Sequence, residues 1–138
     1  MNPSSIIALT FSALSLAFMS KTDLAIERAQ RAIKLSPFDS MLFGPYTALA
    51  AAHVIAGNPQ EAAENARRAI RINPRFTLSH VWLVLALVEM GDIEGAKAEG
   101  RNLLEVEPSF TVSGFAKLAP SEGRAWLLTM LDKAALPT

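Results

Sequence analysis

The two histidines, His53 and His80, are the best candidates for acid–base or metal chemistry, because imidazole titrates near neutral pH and binds metals. They lie far apart in the sequence, and the register predicts no carboxylate or third ligand beside either of them. Each falls in a mostly apolar stretch, at a position that predicts packing. We therefore expect both histidines to be structural, and we expect no metal or other cofactor.

Pairs of acidic residues and a glycine-containing turn are the other candidates for a catalytic site. Glu105 and Glu107 lie two residues apart, so on a helix they would not share a face. Glu61 and Glu64 share a face, but in the first turn of a predicted helix, where acidic side chains favour the helix dipole. In MGDIEG the first glycine is predicted to end a helix, which does not suit a phosphate loop. No nucleophile lies near a base, so the chain is not expected to be an enzyme.

Three arginines form an ordered basic face. Arg67, Arg71 and Arg75 recur every four residues along a predicted helix and its exit. This face would suit an acidic peptide or a phosphate, and it would equally suit a solvated outer surface partly paired with Glu64. The following unit is acidic, so the two units could orient a partner or a second copy of the chain.

The overall charge narrows the classes of partner. Thirteen acidic and thirteen basic side chains cancel, so no global field attracts nucleic acid or an anionic membrane, and neither is expected as a partner. The chain has no cysteine, which excludes disulfides and fits a reducing compartment. We expect a cytoplasmic location.

An internal repeat organises these residues. The segments AIERAQRAIKLSP, AAENARRAIRINP and AKAEGRNLLEVEP end at Pro37, Pro74 and Pro108. Pro3 and Pro37 are 34 residues apart, as are Pro74 and Pro108, whereas the middle interval is 37. We place the three extra residues in the loop near Ser40–Leu42.

Each unit is predicted to be a hairpin of two helices, the first almost wholly apolar and the second amphipathic. Gly57 and Gly91 suit the left-handed residue that ends a helix. Asn58 and Asp92 suit the N-caps of the second helices, and Pro59 suits the first helical position. Stacked hairpins of this kind form an α-solenoid.

These residues resemble the tetratricopeptide repeat (TPR), from residue 2 to about residue 110. The resemblance implies an all-α solenoid of three helical hairpins, with repeats at about 6–39, 43–76 and 77–110. It also implies a non-catalytic module that binds other proteins. Gly100, inside the last of these helices, departs from the pattern. In that family the first helices carry a large residue, which would be Leu9, Tyr46 and His80 here. The second helices carry a small residue, which would be Ala25, Ala62 and Ala96.

The uncharged opening segment, residues 1–20, raises the question of a signal peptide or a membrane span. A membrane helix needs about 20 apolar residues, and the run from Ile6 to Met19 is shorter and interrupted by hydroxyls. No basic residue precedes Ile6, as a signal peptide would require. Because 43–56 and 77–88 have the same character, we interpret all three segments as buried first helices.

After Pro108 the period is expected to stop. The sequence predicts a short helix at about Thr111–Leu118 and a last helix from about Ser121, ending before Pro137. We expect residues 111–138 to cap the solenoid. The predicted apolar face of the last helix comprises Ala125, Trp126, Leu127, Leu128 and Leu131.

The N-terminal end of the solenoid is expected to lack a cap. Met1-Asn2-Pro3 is similar to the end of a preceding repeat, so further repeats or a second copy would cover the first helix. The tail also resembles, more weakly, the ends of TPR regions in bacterial class III adenylate cyclases. That resemblance implies an alternative function as the C-terminal regulatory or oligomerisation region of a larger signalling enzyme.

In TPR domains the first helices line a concave groove that takes peptides or helices. A clamp for a C-terminal carboxylate is not expected here, because the groove's one charged residue is acidic. An apolar strip of this size should not stay bare in water. Its cover would be the chain's own last helix, a second copy, or an amphipathic helix or peptide of another protein. The predicted groove residues are Ile7, Phe11, Leu14, Phe18, Thr47, Ala51, Val54, Val81, Trp82, Leu85 and Glu89.

Overall fold

Six helices form three consecutive hairpins. The computed structural model describes residues 3–138, within which every regular element is a helix. The prediction of an all-α solenoid with a C-terminal capping helix is confirmed. Met1 and Asn2, which were compared with the end of a preceding repeat, lie outside the described residues. The hairpins are α1 (Pro3–Phe18) with α2 (Thr22–Leu35), α3 (Phe43–Ala56) with α4 (Pro59–Ile72), and α5 (Thr77–Glu89) with α6 (Ile93–Val106); α7 (Val112–Ala116) and α8 (Ser121–Asp132) follow.

The turns inside the hairpins depend on a residue in the left-handed region. Gly57 and Gly91 have φ of 84° and 80°, as expected at the ends of α3 and α5. In the first hairpin Ser20 holds the same position of the repeat and has φ of 61°. A side chain is unfavourable in this conformation, so the first turn is more strained than the other two.

The N-caps differ from hairpin to hairpin. Asp92 caps α6 as expected, with its Oδ1 accepting from the Gly95 N–H at 2.9 Å. Asn58 occupies the N-cap of α4, but its side chain makes no capping hydrogen bond, unlike our expectation. The three extra residues of the middle interval form a turn of 3-10 helix at Ser40–Leu42, and Asp39 accepts from the Met41 N–H at its start.

Small residues allow the hairpins to stack closely. The helix α3 contacts α1 and α2 on one side and α4 and α5 on the other. Every residue of α5 from Ser79 to Val88 is buried. The second helices turn an alanine face toward the stack, at Ala25, Ala29, Ala32, Ala62, Ala66, Ala69 and Ala96.

The residues after Pro108 are similar to the start of the third hairpin. Residues 108–113 (PSFTVS) match residues 74–79 (PRFTLS), and α7 begins in the register of a fourth first helix. The short helix predicted at about Thr111–Leu118 is α7, and the end of the period at Pro108 stays a prediction. The helix α7 ends after five residues, and α8 then packs on α5.

The tail after α8 is tied to the start of α7 and to α6. The Val112 N–H donates to the Pro137 carbonyl at 2.8 Å, and the Ser113 hydroxyl donates to the Thr138 carbonyl at 2.7 Å. Leu136 lies over Gly100, where a Cβ would be 3.3 Å from its Cδ2 atom. The unusual glycine of α6 thus makes room for the tail.

The buried face of α8 is narrower than predicted. Leu127 and Leu131 are buried, as expected. Ala125 is exposed, and Trp126 and Leu128 keep 40% and 41% of their surface exposed. The prediction of a broad buried face was wrong, because the contacts of α8 with α5 and α7 cover only one stripe of the helix.

Candidate functional site

The predicted groove residues separate into an accessible and an enclosed group. On α1, Phe11 is 66% exposed and Ile7 40% exposed. Leu14, Phe18 and Glu89 are partly buried. The remaining six are enclosed by the chain itself, so in this conformation they offer no surface to a partner. These enclosed residues are Thr47, Ala51, Val54, Val81, Trp82 and Leu85.

Aromatic contacts close the C-terminal half of the concave side. The Trp82 ring lies 5.7 Å from that of Phe18 and 5.8 Å from that of Phe115 of α7, measured between centroids. Phe110 packs in turn on Phe115, with 6.3 Å between centroids. Together with α8, these rings leave Trp82 only 1% exposed. The chain's own C-terminal segment therefore covers this half.

A cleft remains between the end of α1 and the start of α8. Its volume is about 200 Å³, and most of its lining is apolar. Phe18 and Ile55 come from the ends of α1 and α3, Trp82 from α5, and Trp126 and Leu127 from α8. From the sequence, Trp126 was expected to pack more than to bind a ligand. In the structure both tryptophans of the chain line this cleft, and no local sequence signal marks that placement.

Two buried polar atoms on α5 have no hydrogen-bond partner in the part of the chain that the structure describes. One is the indole Nε1 of Trp82, and the other is Oε1 of Glu89. Burial raises the pKa of the Glu89 carboxyl above its ordinary value. Glu89 is the only charged residue of the predicted groove, and burial favours the neutral form of its carboxyl.

The arginines of the predicted basic face are all exposed. Arg67 and Arg71 lie on α4, whereas Arg75 lies beyond its end. Within residues 3–138 none of the three forms a salt bridge, including the one expected with Glu64.

Both histidines are buried, but each lies near a carboxylate, which the sequence analysis did not expect. His80 is 3.0 Å from Glu99 through Nδ1 and 2.8 Å from the Pro74 carbonyl through Nε2. Because both partners are acceptors, this geometry suits the doubly protonated ring. The hydrogen bond to Glu99 raises the pKa of His80 above its ordinary value, against the opposing effect of burial.

The second histidine has a looser contact. His53 Nε2 lies 3.6 Å from the exposed Glu61. The expectation that no carboxylate lies near the histidines was therefore wrong for both, because each pair forms between the two helices of one hairpin. Among residues 3–138 no group of three His, Asp or Glu side chains is placed to hold a metal ion.

Comparison with solved structures identifies the fold. The TPR domain of Sgt2 from Aspergillus fumigatus aligns with a TM-score of 0.69 at 22% identity, covering 97% of this chain and 80% of that one. The first TPR domain of human RPAP3 aligns with a TM-score of 0.70 at 19% identity, covering 97% and 95%. The chain has the tetratricopeptide repeat fold. No protein-family model matches its sequence, and no curated protein matches it.

A third TPR structure contains a bound peptide. The second TPR domain of human RPAP3, in complex with the HSP70 peptide SGPTIEEVD, aligns with a TM-score of 0.68 at 18% identity, covering 96% of each chain. None of the three structures is a cyclase, so the weaker resemblance stays a prediction. Among the described residues no helix of this TPR fold is both long and apolar enough to cross a membrane.

Proposed function

We propose that this chain is a non-catalytic protein–protein interaction module. The observation that carries the proposal is the exposed apolar stripe on α1, where Phe11 is 66% exposed and Ile7 40% exposed. Covering such a surface removes apolar area from water and so lowers the free energy. The TPR fold supports the proposal, since the second TPR domain of human RPAP3 holds a peptide.

The partner we propose is an amphipathic helix or an apolar peptide, and a second copy of the chain is the alternative. The predicted groove contains no Lys or Arg, so an acidic peptide such as SGPTIEEVD has no basic side chain to pair with there. Apolar anchors at helical spacing would match the spacing of Ile7 and Phe11 on α1. The absence of cysteine fits a cytoplasmic location, which belongs to the same proposal.

Selection from a displayed library of random peptides tests the partner class. Peptides recovered on the wild-type chain should carry large apolar residues three or four positions apart. In calorimetry, Phe11→Asp should weaken their binding at least tenfold. Phe38→Asp is the matched control, because Phe38 is 98% exposed in a loop outside the predicted groove. Equal binding to all three proteins would exclude the α1 stripe as the contact.

Sedimentation equilibrium tests the alternative of a second copy. If the stripe on α1 joins two copies, the wild-type chain should dimerise and Phe11→Asp should be monomeric at the same concentration. A wild-type chain that stays monomeric throughout would exclude the second copy and leave the peptide or helix as the proposed partner.

A further inference from the structure

We propose that an open groove beside the loop between α2 and α3 binds an acidic peptide segment of a partner protein, through a carboxylate that lies beside a large apolar side chain. Residues of this loop between Pro37 and Leu42 line the groove, together with Tyr46 of α3 and with Arg68 and Ile72 of α4. The groove lies outside α1, so the inference goes beyond the proposed function and is tested separately from it.

Arg68 is held in place in this groove without a carboxylate partner. Its guanidinium carbon lies 5.3 Å from the centre of the Tyr46 ring, and its Nη1 donates to the Tyr46 hydroxyl at 3.5 Å. Among residues 3–138 Arg68 forms no other hydrogen bond and no salt bridge. Because the ring already orients the guanidinium, less side-chain freedom is lost when Arg68 binds a partner. Its remaining N–H donors suit the two oxygens of a carboxylate.

The charge around the groove favours an anionic partner. Asp39 also lines the groove, but its Oδ1 accepts from the Met41 N–H at 2.8 Å, which holds this carboxylate against its own loop. Arg71 lies three residues after Arg68 on the same side of α4, and Arg75 follows the end of the helix. Both are exposed, and neither forms a salt bridge in the part of the chain that the structure describes. The positive charge at this edge of the solenoid is therefore left without an acidic partner.

Exposed apolar side chains beside the arginine favour a peptide over a free anion. Phe38 is 98% exposed and Ile72 39% exposed, and both line the groove. A phosphate ion would leave both side chains in water, whereas a large apolar residue beside a carboxylate would cover them. An anionic membrane also combines negative charge with an apolar phase. The thirteen acidic and thirteen basic side chains of the chain balance, however, so they give such a membrane no long-range attraction.

Selection of displayed random peptides on the Phe11→Asp chain tests the groove while the α1 stripe is disabled. The recovered peptides should carry Asp or Glu beside a large apolar residue. In calorimetry with a synthetic copy of one such peptide, Arg68→Gln and Phe38→Asp should each weaken binding about tenfold or more. A copy in which Asn or Gln replaces the acidic residues should bind equally weakly.

Two further variants separate the groove from general electrostatics. Arg67→Gln removes the same charge from α4 outside the groove and should bind the peptide within about twofold of the parent chain. Arg68→Lys keeps the charge but loses the planar fork, so it should still weaken binding severalfold. Arg67, Arg68 and Phe38 are all exposed, so their substitution should leave the melting temperature unchanged.

The same measurements can overturn the groove. It fails if the Phe11→Asp chain selects no peptide, and the proposed function then stands alone if the wild-type chain selects peptides that bind through Phe11. It also fails if the recovered peptides bind Arg68→Gln as tightly as the parent chain. Arg68-dependent binding to vesicles of equal parts phosphatidylserine and phosphatidylcholine, with no peptide recovered, would make this edge a lipid contact instead. If peptides bind through Arg68 and nothing binds through Phe11, the groove stands and the α1 stripe fails.

Discussion

The same position of the repeat is exposed at the N-terminal end of the solenoid and buried at the C-terminal end. Phe11 of α1 and Trp82 of α5 occupy equivalent positions, and both are aromatic. Phe11 is 66% exposed, whereas Trp82 is 1% exposed between Phe18 and Phe115. The difference comes from the segment that follows the repeats, which covers one end of the concave side. Whether an aromatic residue at this position is buried or exposed therefore depends on whether another segment of the chain packs over it.

A second pair of positions shows the same contrast in polar contacts. His80 and Glu99 form a buried pair between the helices of the third hairpin. Leu9 and Arg28 hold the equivalent positions in the first hairpin, where Arg28 donates to the Ser12 hydroxyl at 2.6 Å instead. The third hairpin thus has a buried polar contact between its two helices, whereas the corresponding contact in the first hairpin is only partly buried.

Truncation of the two equivalent aromatic residues should produce the largest difference in stability between the two ends of the chain. Trp82→Ala should lower the free energy of unfolding by about 3–5 kcal/mol, because it removes a large side chain that packs on Phe18 and Phe115. Phe11→Ala should change it by no more than ~0.5 kcal/mol, because Phe11 is mostly exposed. Urea unfolding followed by circular dichroism measures both values.

The milder Trp82→Phe variant keeps a ring between the same neighbours and should lose clearly less than Trp82→Ala. Similar losses in Trp82→Ala and Phe11→Ala would contradict the comparison, because they would mean that the C-terminal segment does not bury Trp82 in solution.

Removing the charge of Glu99 should destabilise the third hairpin in a pH-dependent way. The pKa of His80 is raised above the ordinary value of 6.5, so the pair contributes its full stability below that pH. The contribution is lost as the pH rises through the raised pKa. Glu99→Gln should therefore cost about 1.5–3 kcal/mol near pH 5.5 and less at pH 8.5. Unfolding at both pH values, with titration of the His80 ring by nuclear magnetic resonance, measures this.

Arg28→Ala is the matched change in the first hairpin. Its cost should be about 0.5 kcal/mol and should be the same at pH 5.5 and 8.5, because the contact it removes is one hydrogen bond to a neutral hydroxyl. A Glu99→Gln loss that grows as the pH rises would show that the His80–Glu99 pair is not an ion pair in the folded chain.

Displacing the tail from its place over Gly100 should destabilise mainly the C-terminal end of the solenoid, which the tail covers. Gly100→Leu places a side chain where Leu136 and Ala134 now lie, so it should destabilise the chain by about 1–3 kcal/mol through overpacking. The amide of Val112, which donates to the Pro137 carbonyl, should then exchange its hydrogen faster. Amides of α1 and α2 should keep their exchange rates. Unchanged protection of Val112 would mean that the tail does not depend on Gly100.

The fold could be predicted because its determinants are local and periodic. Prolines at 34-residue spacing, left-handed glycines at 57 and 91, and two types of helix in alternation specify stacked hairpins. Even the three-residue insertion was placed at Ser40–Leu42, where it forms its own turn. These signals depend on a few residues each and not on contacts between distant segments.

The accessible part of the site could not be predicted in the same way. Nothing in the local sequence distinguishes Trp126 and Leu128 from Leu127, and the contacts of α8 with α5 and α7 decide which is buried. The contact of His80 with Glu99 joins residues on two helices, so a search for ligands along each helix missed it. Exposure and pairing are tertiary properties, and here the C-terminal segment determines much of both.

Of the contrasts between the two ends of the chain, the smallest should come from the turn that distinguishes the first hairpin from the other two. Ser20 occupies with φ of 61° the position that Gly57 and Gly91 occupy in the later hairpins. A left-handed non-glycine residue costs about 1–2 kcal/mol, and the greater freedom of glycine in the unfolded chain offsets part of this. Ser20→Gly should therefore raise the free energy of unfolding by about 0.5–1 kcal/mol, and Gly57→Ser should lower it by a similar amount. If Ser20→Gly destabilises the chain, the first turn depends on the serine side chain and the hairpins do not share one turn design.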